Sequence, residues 1–239
     1  MSSISSRRSS LRLAAVAALA LGGCATQQPL EDIPELTELD SVPFFPQTEF
    51  DCGPAALATV LGASGIAITP EALMPNVYTA GLEGSLQVEM LAAARREGRL
   101  PIPVDRTPEA LFGLIEAGHP VLVMQNLRLR RAPLWHYAVV VGFERESNRV
   151  VLRSGEERRK RQRARRFLTS WALADNWGFV VARPGQIPAT VEPEQYMRAV
   201  VQSERALGAE EIDTAYGAAL ARWPAEPIVL FLTAGHAYE

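Results

Sequence analysis

The chain changes period at residue 121, and that change restricts the folds open to it. Val121-Leu-Val-Met124, Trp135-His-Tyr-Ala-Val-Val-Val-Gly-Phe143, Arg149-Val-Val-Leu-Arg153 and Trp177-Gly-Phe-Val-Val181 are short apolar runs separated by turn residues. Their β-branched and aromatic content predicts strands. The stretch before them is punctuated like helices. Pro54 suits a first helical position, where its missing N–H costs nothing, and Ala55 to Leu61 is small and apolar with Gly62 as its stop. Thr69-Pro-Glu71 and Thr107-Pro-Glu109 each supply a cap, a proline and an acid at a helix start, the second helix stopping near Gly118. Ser85 is placed to cap a helix through Glu97, with Leu86, Met90 and Leu91 at helical spacing. Ile102-Pro-Val104 reads as a short edge strand, because proline spoils central pairing. Helices first and a meandering antiparallel sheet afterwards predict an α+β domain with two facing layers.

The 239 residues carry a net charge of −3 that is unevenly laid out. Residues 51–188 hold 18 basic and 13 acidic side chains, whereas residues 189–239 hold three basic and eight acidic ones. A mildly basic body between acidic arms is not a nucleic-acid-binding profile. Residues 158–166 concentrate seven basic side chains in nine positions. A solvated connection between the last two strands is expected there, with a contact to anionic lipid headgroups or an acidic partner as the alternative.

Arg7, Arg8 and Arg12 precede an apolar run, Leu13 to Leu21, that ends at Gly22-Gly23-Cys24. Basic residues, a short apolar core and small residues at a cut are the layout of a secretory signal, and the core is too short for a comfortable membrane span. The Leu21-Gly-Gly-Cys24 ending resembles a bacterial lipoprotein signal. That resemblance implies lipidation at Cys24, which becomes the new N-terminus. With Ala25 in place of an inner-membrane-retaining aspartate, it also implies an outer-membrane anchor facing the periplasm. Residues 24–41 then form a tether.

Cys52 is thereby left as the only free thiol in an oxidising compartment, with no intramolecular partner. It stands just ahead of the expected first helix, where unpaired N–H groups and the helix dipole favour thiolate. Three histidines are available as its base. His119 lies in a turn, His236 lies in the C-terminal helical tail, and His136 opens the strongest strand, flanked by aromatic residues. A thiol at a helix start facing an imidazole on a sheet edge is the nucleophile–base pair of thiol hydrolases. Gln47, five residues before Cys52, offers a side-chain N–H that joins the Cys52 backbone N–H against a developing oxyanion.

Gln47…Asp51-Cys-Gly-Pro-Ala-Ala-Leu57 followed by His136-Tyr-Ala-Val-Val-Val-Gly142 resembles the papain-like cysteine peptidases of the bacteriocin-processing, double-glycine-leader type. The resemblance covers residues 42–183. It implies a papain-like fold, with N-terminal helices packed on an antiparallel sheet. It implies Cys52 as nucleophile, His136 as general base and acid, and Gln47 as oxyanion donor, acting on a peptide or protein through a thioester with no metal and no cofactor. The family places Asp-Pro on the strand after the histidine, but the matching stretch here reads Val151-Leu-Arg-Ser154-Gly155. Ser154 accepts a hydrogen bond from the ring without bringing a charge. Asn126 on the preceding strand is the other candidate for orienting the ring.

Pro184-Gly-Gln-Ile-Pro-Ala-Thr190 is a linker by composition, and residues 184–192 are assigned to it. In residues 193–239, Tyr196, Tyr216, Ala219 and Pro224 fall in a tetratricopeptide-repeat frame, although Val200 and Ile212 occupy its usual small positions. A short helical hairpin that docks on the body or on a protein partner is expected. Three readings follow: a lipid-anchored periplasmic cysteine peptidase, a catalytically silent peptide-binding or envelope adaptor on the same fold, and ligation or amidase chemistry by the same dyad.

Overall fold

The computed structural model describes residues 33, 35, 38–47, 51–82 and 84–237. The expected signal stretch and Cys24 lie outside the described residues. In chain order the first elements are α1 (Cys52–Ala63), α2 (Pro70–Val77), the two-residue strands β1 (Tyr78–Thr79) and β2 (Gly84–Ser85), and α3 (Gln87–Arg96). The middle of the chain forms β3 (Leu100–Pro103), α4 (Pro108–Glu116), β4 (Val121–Asn126), β5 (Trp135–Glu144) and β6 (Arg149–Ser154). Then come β7 (Glu157–Arg163), α5 (Ala164–Ala172), β8 (Gly178–Ala182), α6 (Pro193–Val201), α7 (Ala209–Arg222) and α8 (Pro227–His236).

Strands β3 to β8 make one antiparallel sheet in the order β3–β8–β4–β5–β6–β7. The meander from β4 to β7 is continuous, and β8 returns to fill the gap between β4 and β3. The proline-bearing β3 is an edge strand, as its missing donors require. The other edge, β7, was not foreseen. Residues 158–163 form this strand rather than a connection, and Ala164 begins α5. An edge strand made of glutamate, arginine, lysine and glutamine carries no apolar alternation to announce it. Its charges keep a further strand from pairing there.

Helices cover both faces of the sheet. Along β5 the alternation sends Tyr137, Val139 and Val141 into a core with α1, α2 and α3. Ala138, Val140 and Phe143 enter a second core with α4, α5 and the C-terminal helices. Burial on both sides explains why this strand reads as an unbroken apolar run. The fold is the expected α+β class, with N-terminal helices on an antiparallel sheet. The expected second layer is joined by a third.

Local signals decided most helix starts. The Thr69 and Thr107 hydroxyls accept from the Ala72 and Ala110 N–H groups at 3.4 and 3.2 Å. Ser85 caps nothing. It lies in β2, and Leu86 takes the N-cap of α3. In α1 the first residue is Cys52 itself and Pro54 stands third. No N–H of a first helical turn has an intrahelical partner, so a proline is accepted at either position. The helix also runs past Gly62 to Ala63.

Ahead of α1, residues 38–47 form a strap across β6. Arg153, a fully buried cation of β6, donates to Glu38 Oε1 at 2.6 Å and to the main-chain carbonyls of Arg158 and Leu39 at 2.8 and 3.3 Å. In the tail, Tyr196, Met197, Ala199 and Val200 of α6 belong to the same core as Leu100 and Ile102 of β3. The C-terminal helices thus dock on the body.

Candidate active site

The site is built at the first residues of β5, where three segments from other parts of the chain converge. Helix α1 delivers Cys52 in its first turn, half-buried against the sheet. Gly53 follows because β2 presses on it: a Cβ there would stand 2.2 Å from Ser85 Oγ. That hydroxyl is buried with no hydrogen-bond partner among the described residues, while the Ser85 carbonyl accepts from Tyr137 Oη at 3.0 Å. The Tyr137 N–H reaches the Cys52 sulfur and favours the thiolate, as do the N–H groups of Gly53 and Cys52 itself.

The strap delivers Gln47, and the β6–β7 turn fixes it. Gly155 adopts a left-handed φ of 62° in that turn, a conformation natural to glycine. Its N–H donates to Gln47 Oε1 at 2.6 Å, and its carbonyl accepts the Gln47 main-chain N–H at 2.9 Å. The acceptor end of the amide is thereby assigned to Gly155. Gln47 Nε2 then points toward the Tyr137 carbonyl at 3.4 Å. The N–H and C=O of one strand residue face the same edge. The amide nitrogen of Gln47 and the sulfur of Cys52 therefore sit on one side of β5, both held by Tyr137.

His136 precedes Tyr137. Its Nε2 lies 2.8 Å from Ser154 Oγ on β6, and Ser154 is buried. A hydroxyl serves as donor or acceptor by rotation, so this bond persists whichever form the ring takes. With Nε2 engaged, Nδ1 is the nitrogen left for a second partner. No hydrogen bond joins the thiol and the imidazole in the resting geometry. Asn126, the other candidate for orienting the ring, is occupied elsewhere: its Oδ1 accepts from the N–H groups of Arg128 and Leu134 at 3.0 and 3.1 Å, closing the β4–β5 loop. Of the two, it is Ser154 that bonds the ring.

Electrostatics set the resting protonation. Burial pushes the Cys52 thiol above its ordinary value, with the Asp51 charge adding to it, and the N–H groups at the helix start do not offset this. Burial, then the Lys160 charge, lowers the His136 imidazole to about 4. The resting pair is a neutral thiol and a neutral imidazole, contrary to the thiolate expected from a helix N-terminus. Lys160, in the basic run of β7, went unrecognised in the sequence as a neighbour of the histidine. A strand with four successive cations gives no sign of which ones turn inward.

Of the remaining histidines, His119 lies near the start of β4. His236 bonds Asp213 at 2.8 Å and stacks on Tyr216. Neither joins the site. Among the described residues no cluster of histidine, cysteine and acidic side chains has the form of a metal site.

A nucleophile-type cysteine at a helix start, packed on an antiparallel sheet that carries a hydrogen-bonded histidine, defines a papain-like fold. The model of the Peptidase_C39 like family matches residues 39–177, and the chain belongs to that family. Among solved structures, a C39-like peptidase from Bacillus anthracis superposes with a TM-score of 0.52 at 15% identity, over 63% of this chain and 98% of that one. The peptidase domain of Streptococcus ComA, a bi-functional ABC transporter of a quorum-sensing pathway, shares 22% identity over 59% of this chain and 98% of its own, with a TM-score of 0.46. A double-glycine-motif protease from an AMS/PCAT transporter, solved with its leader peptide, shares 20% identity over 62% and 91%, with a TM-score of 0.44. No curated protein matches the sequence.

Proposed function

We propose that the protein is a lipid-anchored cysteine peptidase of the bacterial cell envelope. The carrying observation is the convergence on Tyr137 of a helix-start thiol and a buried amide, beside an imidazole bonded through Nε2 alone. In this reading His136 Nδ1 takes the Cys52 proton as the sulfur attacks a peptide carbonyl. The charge that develops on oxygen is met by Gln47 Nε2 and the Cys52 N–H. The imidazolium then protonates the departing amine, leaving a thioester on Cys52. Water, deprotonated by His136, attacks the thioester, and the sulfur recovers the proton as the acid product leaves. Because the resting pair is neutral, proton transfer accompanies attack and does not precede it. Exposed apolar side chains adjoin these residues, Leu134 and Trp135 before His136 and Leu86 and Val88 after Ser85, and supply a surface for a peptide.

One observation favours a second reading, a silent adaptor that holds peptides. The residue bonded to the ring is a serine, and the Lys160 charge disfavours the imidazolium. The two readings part in a substrate-trapping comparison of wild type and Cys52→Ala in periplasmic extract. The peptidase reading expects proteins retained by the variant and shortened by wild type. Retention by both without shortening supports the adaptor and contradicts the peptidase.

The anchor rests on the pattern of residues 7–24 and predicts that palmitate labelling is lost in Cys24→Ala, with the anchored body facing the periplasm from the outer membrane. Helices α6 to α8 are assigned to a tetratricopeptide-like surface for a protein partner, presented by the exposed Leu230 and Phe231 of α8.

A further inference from the structure

A cavity of about 770 Å³ opens beside His136 and Ser154 and extends between β7 and α5. Its wall is cationic. Arg128 enters from the β4–β5 loop, Lys160 and Arg163 from β7, and Arg165 and Arg166 from α5. Neighbouring charges are already paired: Glu38 of the strap is held by Arg153 and Arg159, and Glu144 at the end of β5 by Arg159 and Arg161. Among the described residues, none of the five cavity cations named here pairs with a carboxylate.

The placement of Arg165 and Arg166 runs against local preference. They stand in the first turn of α5, at the positive end of the helix dipole, and no acidic residue shares that turn. Cations there are unfavourable, and an anion in the cavity relieves them. A rule broken without local compensation is expected where a site needs it. Guanidinium forks suit a planar carboxylate, and the concave wall reaches the imidazole itself, a depth suited to a side chain rather than to a membrane surface.

We propose that this cavity is a subsite for an acidic residue of the peptide substrate, which lodges an aspartate or glutamate beside Lys160 and the Arg165–Arg166 pair while its scissile bond lies at Cys52. The proposal rests on the peptidase reading above and names the substrate class. A carboxylate so placed also lies near His136, where it offsets the Lys160 charge and brings with the substrate the anion that Ser154 does not provide.

The test reads binding and needs no turnover. Full-length Cys52→Ala protein is titrated with two fluorescein-labelled peptide pools, identical except that one carries glutamate where the other carries glutamine. The glutamate pool is expected to bind about tenfold tighter at low salt, as one or two charge-assisted hydrogen bonds predict. Adding Arg165→Gln and Arg166→Gln, both exposed positions, should bring the pools to within about twofold, and Lys160→Gln should act in the same direction. Equal or undetectable binding of both pools overturns the proposal, as does a preference that survives these substitutions. Tighter binding of phosphatidylglycerol vesicles than of the glutamate pool overturns it too and makes the groove a membrane contact. Failure of the peptidase reading appears separately, as peptide left uncut by wild type.

Discussion

His136 has a hydroxyl at Nε2 and an ammonium group nearby, so its imidazolium is opposed by both burial and charge. Lowering from 6.5 to about 4 amounts to roughly 3 kcal/mol against the charged form. At Cys52 burial likewise outweighs the pull of three backbone N–H groups toward thiolate and holds the thiol above its ordinary value. The thiol of the folded protein is therefore expected to react with iodoacetamide at pH 6 more slowly than a free thiol. Replacing the hydroxyl by a carboxylate should reverse this. In Ser154→Asp the His136 titration, followed by NMR, should move up by about one to three pH units, and alkylation at pH 6 should rise about tenfold or more. An unchanged titration would show that Ser154 does not govern the ring. Cys52, His136, Gln47 and Ser154 can be singled out as candidates from the sequence because each belongs to a short pattern with a chemical reason. Ser85, Tyr137 and Lys160 cannot, because their roles come from which backbone they press against, and that is settled only by packing.

Among the elements, the strap and the β6–β7 turn place Gln47, and one buried ion pair fastens them. Arg153 joins β6 to Glu38, and the strap runs on from there to Gln47. A charge inside the apolar run Val150-Val-Leu-Arg153 was the visible sign of such a pair, but its partner lies more than a hundred residues away. Removing one side of a buried pair strands the other, so Arg153→Ala is expected to lower unfolding stability by about 3–5 kcal/mol in denaturant titration. A loss below about 1 kcal/mol would place the strap's anchor elsewhere. The same elements make stability depend on acid. Burial raises the Glu38 carboxyl, but the hydrogen bonds and charges of Arg153 and Arg159 outweigh it and hold it below 4.5. Glu144 is lowered to about 2, chiefly by Arg161. Depressed carboxyls stabilise the fold above their unfolded values and lose that contribution as pH falls. The melting temperature should therefore decline from about pH 4.5 toward pH 2. The strand β7 shows the limit of pattern reading at this scale: its pairing is fixed by β6 across a tight turn, with no hydropathy signal of its own.

For the whole molecule, the acidic lead-in and the basic body are complementary parts. Glu38 pairs with both Arg153 and Arg159, Glu35 accepts the Arg145 N–H, and among the described residues Arg128, Lys160, Arg163, Arg165 and Arg166 around the cavity beside His136 pair with no carboxylate. The C-terminal helices complete one core, with Tyr196, Met197, Ala199 and Val200 fully buried against the β3 side of the sheet. Deleting residues 184–239 should expose that core and lower the melting temperature, whereas an unchanged melting temperature would mean that the tail is an independent appendage. The central claim is that Cys52 attacks a peptide carbonyl. Its most direct test is intact-mass spectrometry with peptide mapping, on full-length protein mixed with a peptide pool and quenched in acid within seconds. An acyl adduct is expected on Cys52, absent in Cys52→Ala and lost in His136→Ala. Peptide cleavage that persists in Cys52→Ala, or turnover by wild type with no adduct on Cys52, would contradict that claim.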